Sequence, residues 1–256
     1  MLLVIDVGNT NIVGGIYRDS SLVKSLRIHT VPKKTEDEYS IIFTSILADR
    51  GVEPSDIDRI VVSTVVPGLT DAMMAMCEHL FGVLPIILGP SVYPKLPLSI
   101  PSPHEIGADL VADALAAWTK TKGAVIVVDF GTALTFTCVD AKGHILGVSI
   151  APGLGTAVGA LSRDTAQLPT VQLTPPASVM GTNTVMSIQA GVLHGYAGLV
   201  THLVKRMKDE MGVNARVIAT GGLCRVIDGL VDVFDLIDPD LTLDGLALVA
   251  GYCAAD

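Results

Sequence analysis

Apolar and polar positions fall along this chain in short blocks, and the blocks predict a mixed α/β protein. Leu2 to Ile5 is a continuous apolar run that ends on Asp6, and Gly8-Asn9-Thr10-Asn11 follows it. A short apolar run bounded by turn residues reads as a buried strand. Val13 to Tyr17 and Leu22 to His29 read as two further strands, with a hairpin at Ser20-Ser21. Thr35 then caps a helix that runs to Arg50 and stops at Gly51. Glu38 completes a capping box, and Glu36, Asp37 and Glu38 suit a helix N-terminus. Ile57 to Ser63 is another buried strand, and Leu69 to Phe81 is a helix with Met73, Met76 and Leu80 on one face. Pro85 to Pro103 is irregular, apart from a strand at Ile86 to Leu88.

The next helix has two possible starts. Ser102-Pro103-His104-Glu105 offers a serine cap, a proline at the first position and a glutamate three residues on; a start after Gly107 fits as well. Either way it runs through Ala117 or Trp118. Ile106, Leu110, Val111, Ala114, Leu115 and Trp118 form its apolar face, while Asp109 and Asp113 lie one turn apart on another. Thr135 to Val139 and Ile145 to Ile150 are strands, and Ala151-Pro-Gly-Leu-Gly155 precedes a helix. Leu173 to Asn183 is a loop, and Val185 to Lys208 a long helix whose Gly191, Gly195 and Gly198 suggest close packing. Arg216 to Gly222 is a strand running into a double glycine. A helix from Leu243 is expected to complete the second half.

One block recurs. Ala124 to Val128 is a second apolar strand, followed by Asp129-Phe130-Gly131-Thr132, so aspartate, glycine and a polar residue repeat the order of Asp6, Gly8 and Asn9. The repeat splits the chain near its middle, into residues 1–118 and 119–256. A carboxylate delivered into a glycine turn can hold a cation beside backbone N–H groups that suit a phosphate. The plainer reading of the first copy is a hairpin whose Asn and Gly are ordinary turn formers. The strand entering Gly221-Gly222 suits a nucleotide base and ribose.

Composition narrows the field. With 50% hydrophobic and 4% aromatic residues, the core is expected to be Val, Leu, Ile and Ala, as in buried strands covered by helices. Mean hydropathy is +0.55, yet no apolar run approaches the roughly 18–20 residues of a membrane-spanning helix, and no leader is evident; a cytoplasmic protein is expected. A net charge of −9 leaves no basic stripe for nucleic acid. Cys77, Cys138, Cys224 and Cys253 form no metal-like pair and read as reduced, mostly buried thiols; the scattered histidines make a zinc site unexpected.

Several strings, in order, resemble the type III pantothenate kinases of the acetate kinase, sugar kinase, Hsp70 and actin superfamily. They are Asp6-Val-Gly-Asn-Thr-Asn11, Asp37-Glu-Tyr39, Val62-Ser-Thr-Val-Val-Pro67, Glu105-Ile-Gly-Ala-Asp109, Asp129-Phe-Gly-Thr132, Ile150-Ala-Pro-Gly-Leu154, Asn183-Thr184 and Thr220-Gly-Gly222. The resemblance implies two similar ribonuclease H-like (actin-like ATPase) domains of mixed sheets flanked by helices, with a nucleotide cleft between them. It implies ATP-dependent phosphorylation of pantothenate, the first step to coenzyme A, by a homodimer using Mg²⁺ and a monovalent cation, K⁺ or NH₄⁺. By matching position, Asp6, Val7, Gly8, Asn9, Thr10, Asn11, Ile12 and Val13 would hold the ATP phosphates, with Mg²⁺ on Asp6. Asp129 would bind the monovalent cation and Thr132 would reach a phosphate. Asp109 would be the base toward the acceptor hydroxyl, with Ile100, Gly107, Ala108, Leu110 and Thr184 lining the acceptor pocket.

The residue types agree with that chemistry, because phosphoryl transfer asks mainly for positioning and charge neutralisation. Asp113, if unpaired, would raise the proton affinity of Asp109 by like-charge repulsion. The acceptor side departs from the family. Leu110 stands where arginine is usual, Ile100 where tyrosine is, Asp113 where asparagine is, Leu134 for threonine, Thr137 for aspartate and Val148 for glycine. Leucine makes no charge-assisted bond to a carboxylate or phosphate. Lys95 and Arg163 are alternative cations. Three readings follow: a pantothenate kinase with a modified acceptor pocket, a kinase for another small hydroxyl compound, and a non-catalytic nucleotide-binding or regulatory paralogue.

Overall fold

The structure, a computed structural model, describes residues 1–254. It divides into two compact units: residues 1–116 together with the stretch from Leu241 onward, and residues 117–240.

The first unit is built on a five-stranded sheet. β1 (Leu2–Val7), β2 (Asn11–Arg18) and β3 (Ser21–His29) form an antiparallel meander, and β4 (Arg59–Thr64) and β5 (Ile86–Ile87) add in parallel beside β1. The order is β3-β2-β1-β4-β5. β1 is central and apolar on both faces, so its residues from Leu2 to Ile5 are buried. β3 is the edge and mostly exposed, turning only Leu26 fully inward, which explains its poor alternation. α1 (Glu36–Asp49) has the expected capping box: the Thr35 amide donates to Glu38 Oε2 (2.9 Å) and the Glu38 amide to Thr35 Oγ1 (3.4 Å). Its Tyr39, Phe43 and Leu47, spaced four apart, enter the core beside Met73 and Met76 of α2 (Thr70–Phe81). α3 (Ala108–Thr121) begins after Gly107, and Ser102 instead heads a tight turn that accepts the Glu105 and Ile106 amides.

The second unit repeats the plan. β6 (Val125–Phe130), β7 (Ala133–Val139) and β8 (Ile145–Pro152) form the meander, and β9 (Arg216–Thr220) and β10 (Leu236–Ile237) lie parallel beside β6. The order β10-β9-β6-β7-β8 is that of the first sheet, strand for strand. β1 and β6 even share one burial pattern along their length. α4 (Leu154–Asp164) and α5 (Thr184–Met211) pack on each other, and Leu193, Val200 and Val204 of α5 join Phe130, Leu134 and Phe136 in the core. A short α6 (Cys224–Ile227) follows the β9 turn.

Two expectations are corrected. The last helix, α7 (Leu241–Cys253), packs on β1, β2 and β4 of the first unit; it does not complete the second half. A Cβ on its Gly245 would overlap the backbone of Ala112, and Tyr17 Oη donates to Asp244 Oδ1 (2.7 Å). An almost wholly apolar helix carries no local mark of which core it joins. Gly191, Gly195 and Gly198 of α5 are also not close-packing positions, since a Cβ at each would meet nothing within 4 Å.

Candidate active site

Asp6 and Asp129 occupy one position of the repeat. Each is the fifth residue of its six-residue central strand and the half-buried one. Asp6 pairs in register with Val13 and Ser63, and Asp129 with Thr135 and Thr220. Five apolar neighbours in each strand fix the strand in the core and leave its carboxyl end to deliver the acid to a turn.

The two turns differ in construction. After Asp6 the chain makes a closed hairpin: the Gly8 amide donates to the Asn11 carbonyl (3.0 Å), and Thr30 ties the turn down through Oγ1 to the Gly8 carbonyl (2.6 Å). The Gly8 N–H is therefore spent inside the hairpin, contrary to the expectation of an amide free for phosphate. The plain reading of this turn, a hairpin, is the geometry found. Val7 and Ile12 are fully buried, so their side chains serve the core, and Asn9 and Thr10 stand exposed at the tip.

After Asp129 the chain is instead clamped between glycines. A Cβ on Gly221 would overlap Asp129 Oδ1, and one on Gly131 would lie 3.2 Å from Oδ2. Gly221 also has φ of +88°, a left-handed conformation that favours glycine. The Thr132 turn is braced by the start of α4: its carbonyl accepts the Gly153 amide (3.0 Å) and Thr156 Oγ1 (2.7 Å). Gly221 thus sits at the Asp129 carboxylate. The charge of Asp129 reaches Cys224 on α6, whose thiol is pushed up chiefly by burial.

At the start of α3 the structure brings Gly107, Ala108, Asp109 and Leu110 together. A Cβ on Gly107 would overlap Asp109 Oδ1, so any side chain there would displace the carboxylate from its present position. Burial raises the Asp109 carboxyl above its ordinary range, while the Leu110 amide, donating to Oδ1 at 2.8 Å, partly offsets that. Asp109 nonetheless keeps some solvent access. The expected cause of the shift is corrected: Asp113 is 1% exposed and accepts Thr242 Oγ1 of α7 at 2.7 Å, and it is burial that raises the proton affinity of Asp109.

Leu110 is 7% exposed and has joined the apolar helix face with Val111, Ala114 and Leu115. Ile100 is half-buried in the preceding loop. Of the other departures, Leu134 and Thr137 are buried along β7, and Val148 lies exposed on the β8 edge. Thr184 is exposed in the first turn of α5, capped by Asn183 Oδ1, which accepts the Met186 amide (2.9 Å).

One residue was missed from sequence. Tyr93, buried in a short 3₁₀ turn with Lys95, has its phenol pushed up to about 12, first by burial and then by the charge of Asp109. Nothing in a proline-rich loop marked it, because its approach to Asp109 is tertiary.

Among the described residues no group of three or more His, Cys, Asp and Glu is arranged to hold a metal ion, and no helix is long and apolar enough to cross a membrane. Cys77, Cys138 and Cys224 are buried free thiols and Cys253 is half-buried, as expected.

Two units of one strand order, each carrying an acid at the end of its central strand, define the actin-like ATPase and sugar kinase fold. Solved structures agree: the Acidaminococcus fermentans (R)-2-hydroxyglutaryl-CoA dehydratase component A aligns with a TM-score of 0.57 at 15% identity, covering 99% of this chain and 98% of its own. The Clostridium difficile activator of 2-hydroxyisocaproyl-CoA dehydratase, solved with bound ADPNP, aligns at 0.52 and 15%, covering 99% and 95%. At these identities the likeness shows the fold alone.

Sequence relatives narrow the class. The family model for type III pantothenate kinase matches residues 2–206. Type III pantothenate kinases of Geotalea uraniireducens and Anaeromyxobacter dehalogenans are 43% and 41% identical over 249 residues, 97% of this chain and 97% and 98% of theirs. The chain belongs to the type III pantothenate kinase family.

Proposed function

We propose that this protein phosphorylates pantothenate at its primary hydroxyl with ATP, the first step of coenzyme A biosynthesis, and that Asp109 is the base. The observation that carries the reading is the Asp109 carboxylate: densely packed, raised by burial, held by the Leu110 amide and approached past Gly107. A base whose proton affinity lies nearer neutrality accepts a hydroxyl proton more readily as the bond to phosphorus forms. The charge of the same carboxylate reaches Tyr93.

The Asp6 to Val13 hairpin and Thr132 engage the ATP phosphates, and Gly221 and Gly222 lie against the nucleoside. Mg²⁺ fits Asp6, since this ion is commonly held by one or two carboxylates plus substrate phosphates. The oxygen-lined, glycine-clamped Asp129 fits K⁺ or NH₄⁺. Bound there, these cations would supply charge neutralisation at the phosphoryl oxygens. The protein's own part is to hold the phosphates in line with the acceptor and take its proton on Asp109. Ile100, Ala108, Leu110 and Thr184 line the acceptor pocket in this reading. A cytoplasmic homodimer goes with it, supported by the alternating exposed Leu146, Val148 and Ile150 on the edge strand β8.

The buried Leu110 favours one second reading, a kinase for a small alcohol that lacks the carboxylate of pantothenate. ADP release with and without pantothenate, on wild type and Leu110→Arg, separates them. Pantothenate-dependent release by wild type supports the first reading. Release stimulated only by uncharged alcohols supports the second. ATP binding without turnover on any acceptor would mark a regulatory paralogue and overturn both.

A further inference from the structure

The repeat places two buried hydroxyls where neither has a protein partner. Ser63 is the fifth residue of β4 and Thr220 the fifth of β9, and they are the register neighbours of Asp6 and Asp129. Both are 0% exposed, and among the described residues neither Ser63 Oγ nor Thr220 Oγ1 has a hydrogen-bond partner. A buried hydroxyl left unsatisfied carries its full desolvation penalty, and folded proteins rarely tolerate one. Two at equivalent positions, each beside the acid of its own half, point to a shared cause. Register neighbours on adjacent strands project to the same sheet face about 4.8 Å apart, which puts each hydroxyl within reach of whatever its acid binds.

The Thr220 case has a second observation. The turn immediately after it, Gly221 with φ of +88°, lies against Asp129 Oδ1, and Gly131 lies against Oδ2. Carboxylate, hydroxyl and glycine-lined backbone therefore converge at the end of β9. Monovalent cations such as K⁺ are bound by oxygen dipoles of this kind.

We infer that Thr220 Oγ1 is an oxygen ligand of the monovalent cation at Asp129, and that Ser63 Oγ plays the matching part toward the hydration shell of the divalent ion at Asp6. The inference rests on the ATP-dependent reading above. Each hydroxyl is kept at a cost to the ligand-free protein because its partner arrives with the nucleotide.

The test is ATP binding by calorimetry in K⁺ and in tetramethylammonium, together with thermal melting of the ligand-free protein, on wild type, Thr220→Val and Ser63→Ala. Valine keeps the shape of threonine and removes the orphan hydroxyl, so Thr220→Val should melt no lower than wild type. Its K⁺-dependent gain in ATP affinity should nonetheless fall about tenfold, with affinity in tetramethylammonium unchanged. Ser63→Ala should lose affinity for Mg-ATP but keep the K⁺ response. A Thr220→Val protein with the full K⁺ response overturns the inference, since the hydroxyl would then be satisfied by water alone. No K⁺ response in wild type also overturns it, while ATP binding as such would leave the kinase reading standing. Absence of ATP binding in wild type overturns both.

Discussion

The hairpin at Asp6 and the turn at Asp129 deliver the same acid from the same strand position, yet they are held in opposite ways. The first is closed by its own backbone bond and by Thr30, the residue after β3. The second is held from outside, by Gly221 after β9 and by Gly153 and Thr156 at the start of α4. A locally closed hairpin tolerates change in its surroundings, whereas a turn gripped by distant glycines depends on each of them. In the first unit the α3 terminus adds a further acid, Asp109. The repeat supplies a strand-end acid twice, and under the proposed function the acceptor chemistry is an elaboration of one copy.

The largest effects should come from the acids themselves. Asp6→Asn should lower kcat/KM by about 10³-fold, roughly 4 kcal/mol of transition-state stabilisation, and Asp129→Asn by a smaller factor, with the response to K⁺ lost. Equal losses with the K⁺ response intact in both would break the assignment of different cations to the two halves. Next come the glycines. Gly221→Ala forces a Cβ into the Asp129 carboxylate at positive φ and should cost about 2–4 kcal/mol in urea unfolding. Gly8→Ala, whose Cβ would lie 3.1 Å from the Asn11 carbonyl with no positive φ, should cost about 1 kcal/mol. The reverse ranking would contradict the local-versus-external distinction.

A smaller effect concerns pH. The Asp109 carboxyl is raised by burial above its ordinary 3.8, so the folded chain holds that proton more tightly than the unfolded chain. Its contribution to stability is full below 3.8 and is lost as pH rises through the folded-state value. Asp109→Asn should therefore melt about 2 °C higher than wild type at pH 7 and show no gain at pH 3. The acid limb of kcat/KM should lie above the usual carboxylate range. The smallest effect is a control remote from both turns: Thr35→Ala removes the capping box of α1 and should cost about 1 kcal/mol without changing KM.

Much of this was legible from residue order. The strand–acid–glycine blocks were visible because a central parallel strand is apolar throughout and its terminal acid stands out. The capping box of α1 was visible because its two partners are three residues apart. What escaped depends on contacts between distant residues. The apolar pattern of α7 is equally compatible with either core, and distant contacts such as Gly245 against Ala112, Thr242 on Asp113 and Tyr17 on Asp244 decide it. The Gly8 amide looked available because a sequence does not show which carbonyl a turn N–H will meet. Asp113 looked like a neighbouring free charge because its hydroxyl partner is 129 residues away. Tyr93 was invisible for the same reason.

The most direct test of the central claim measures ADP release and ATP binding side by side on wild type and Asp109→Asn. The account predicts pantothenate-dependent release by wild type, and a loss of at least about 10³-fold in the variant with ATP affinity unchanged. Release that persists in Asp109→Asn, with pantothenate still required, would show that the proton goes elsewhere and would contradict the account.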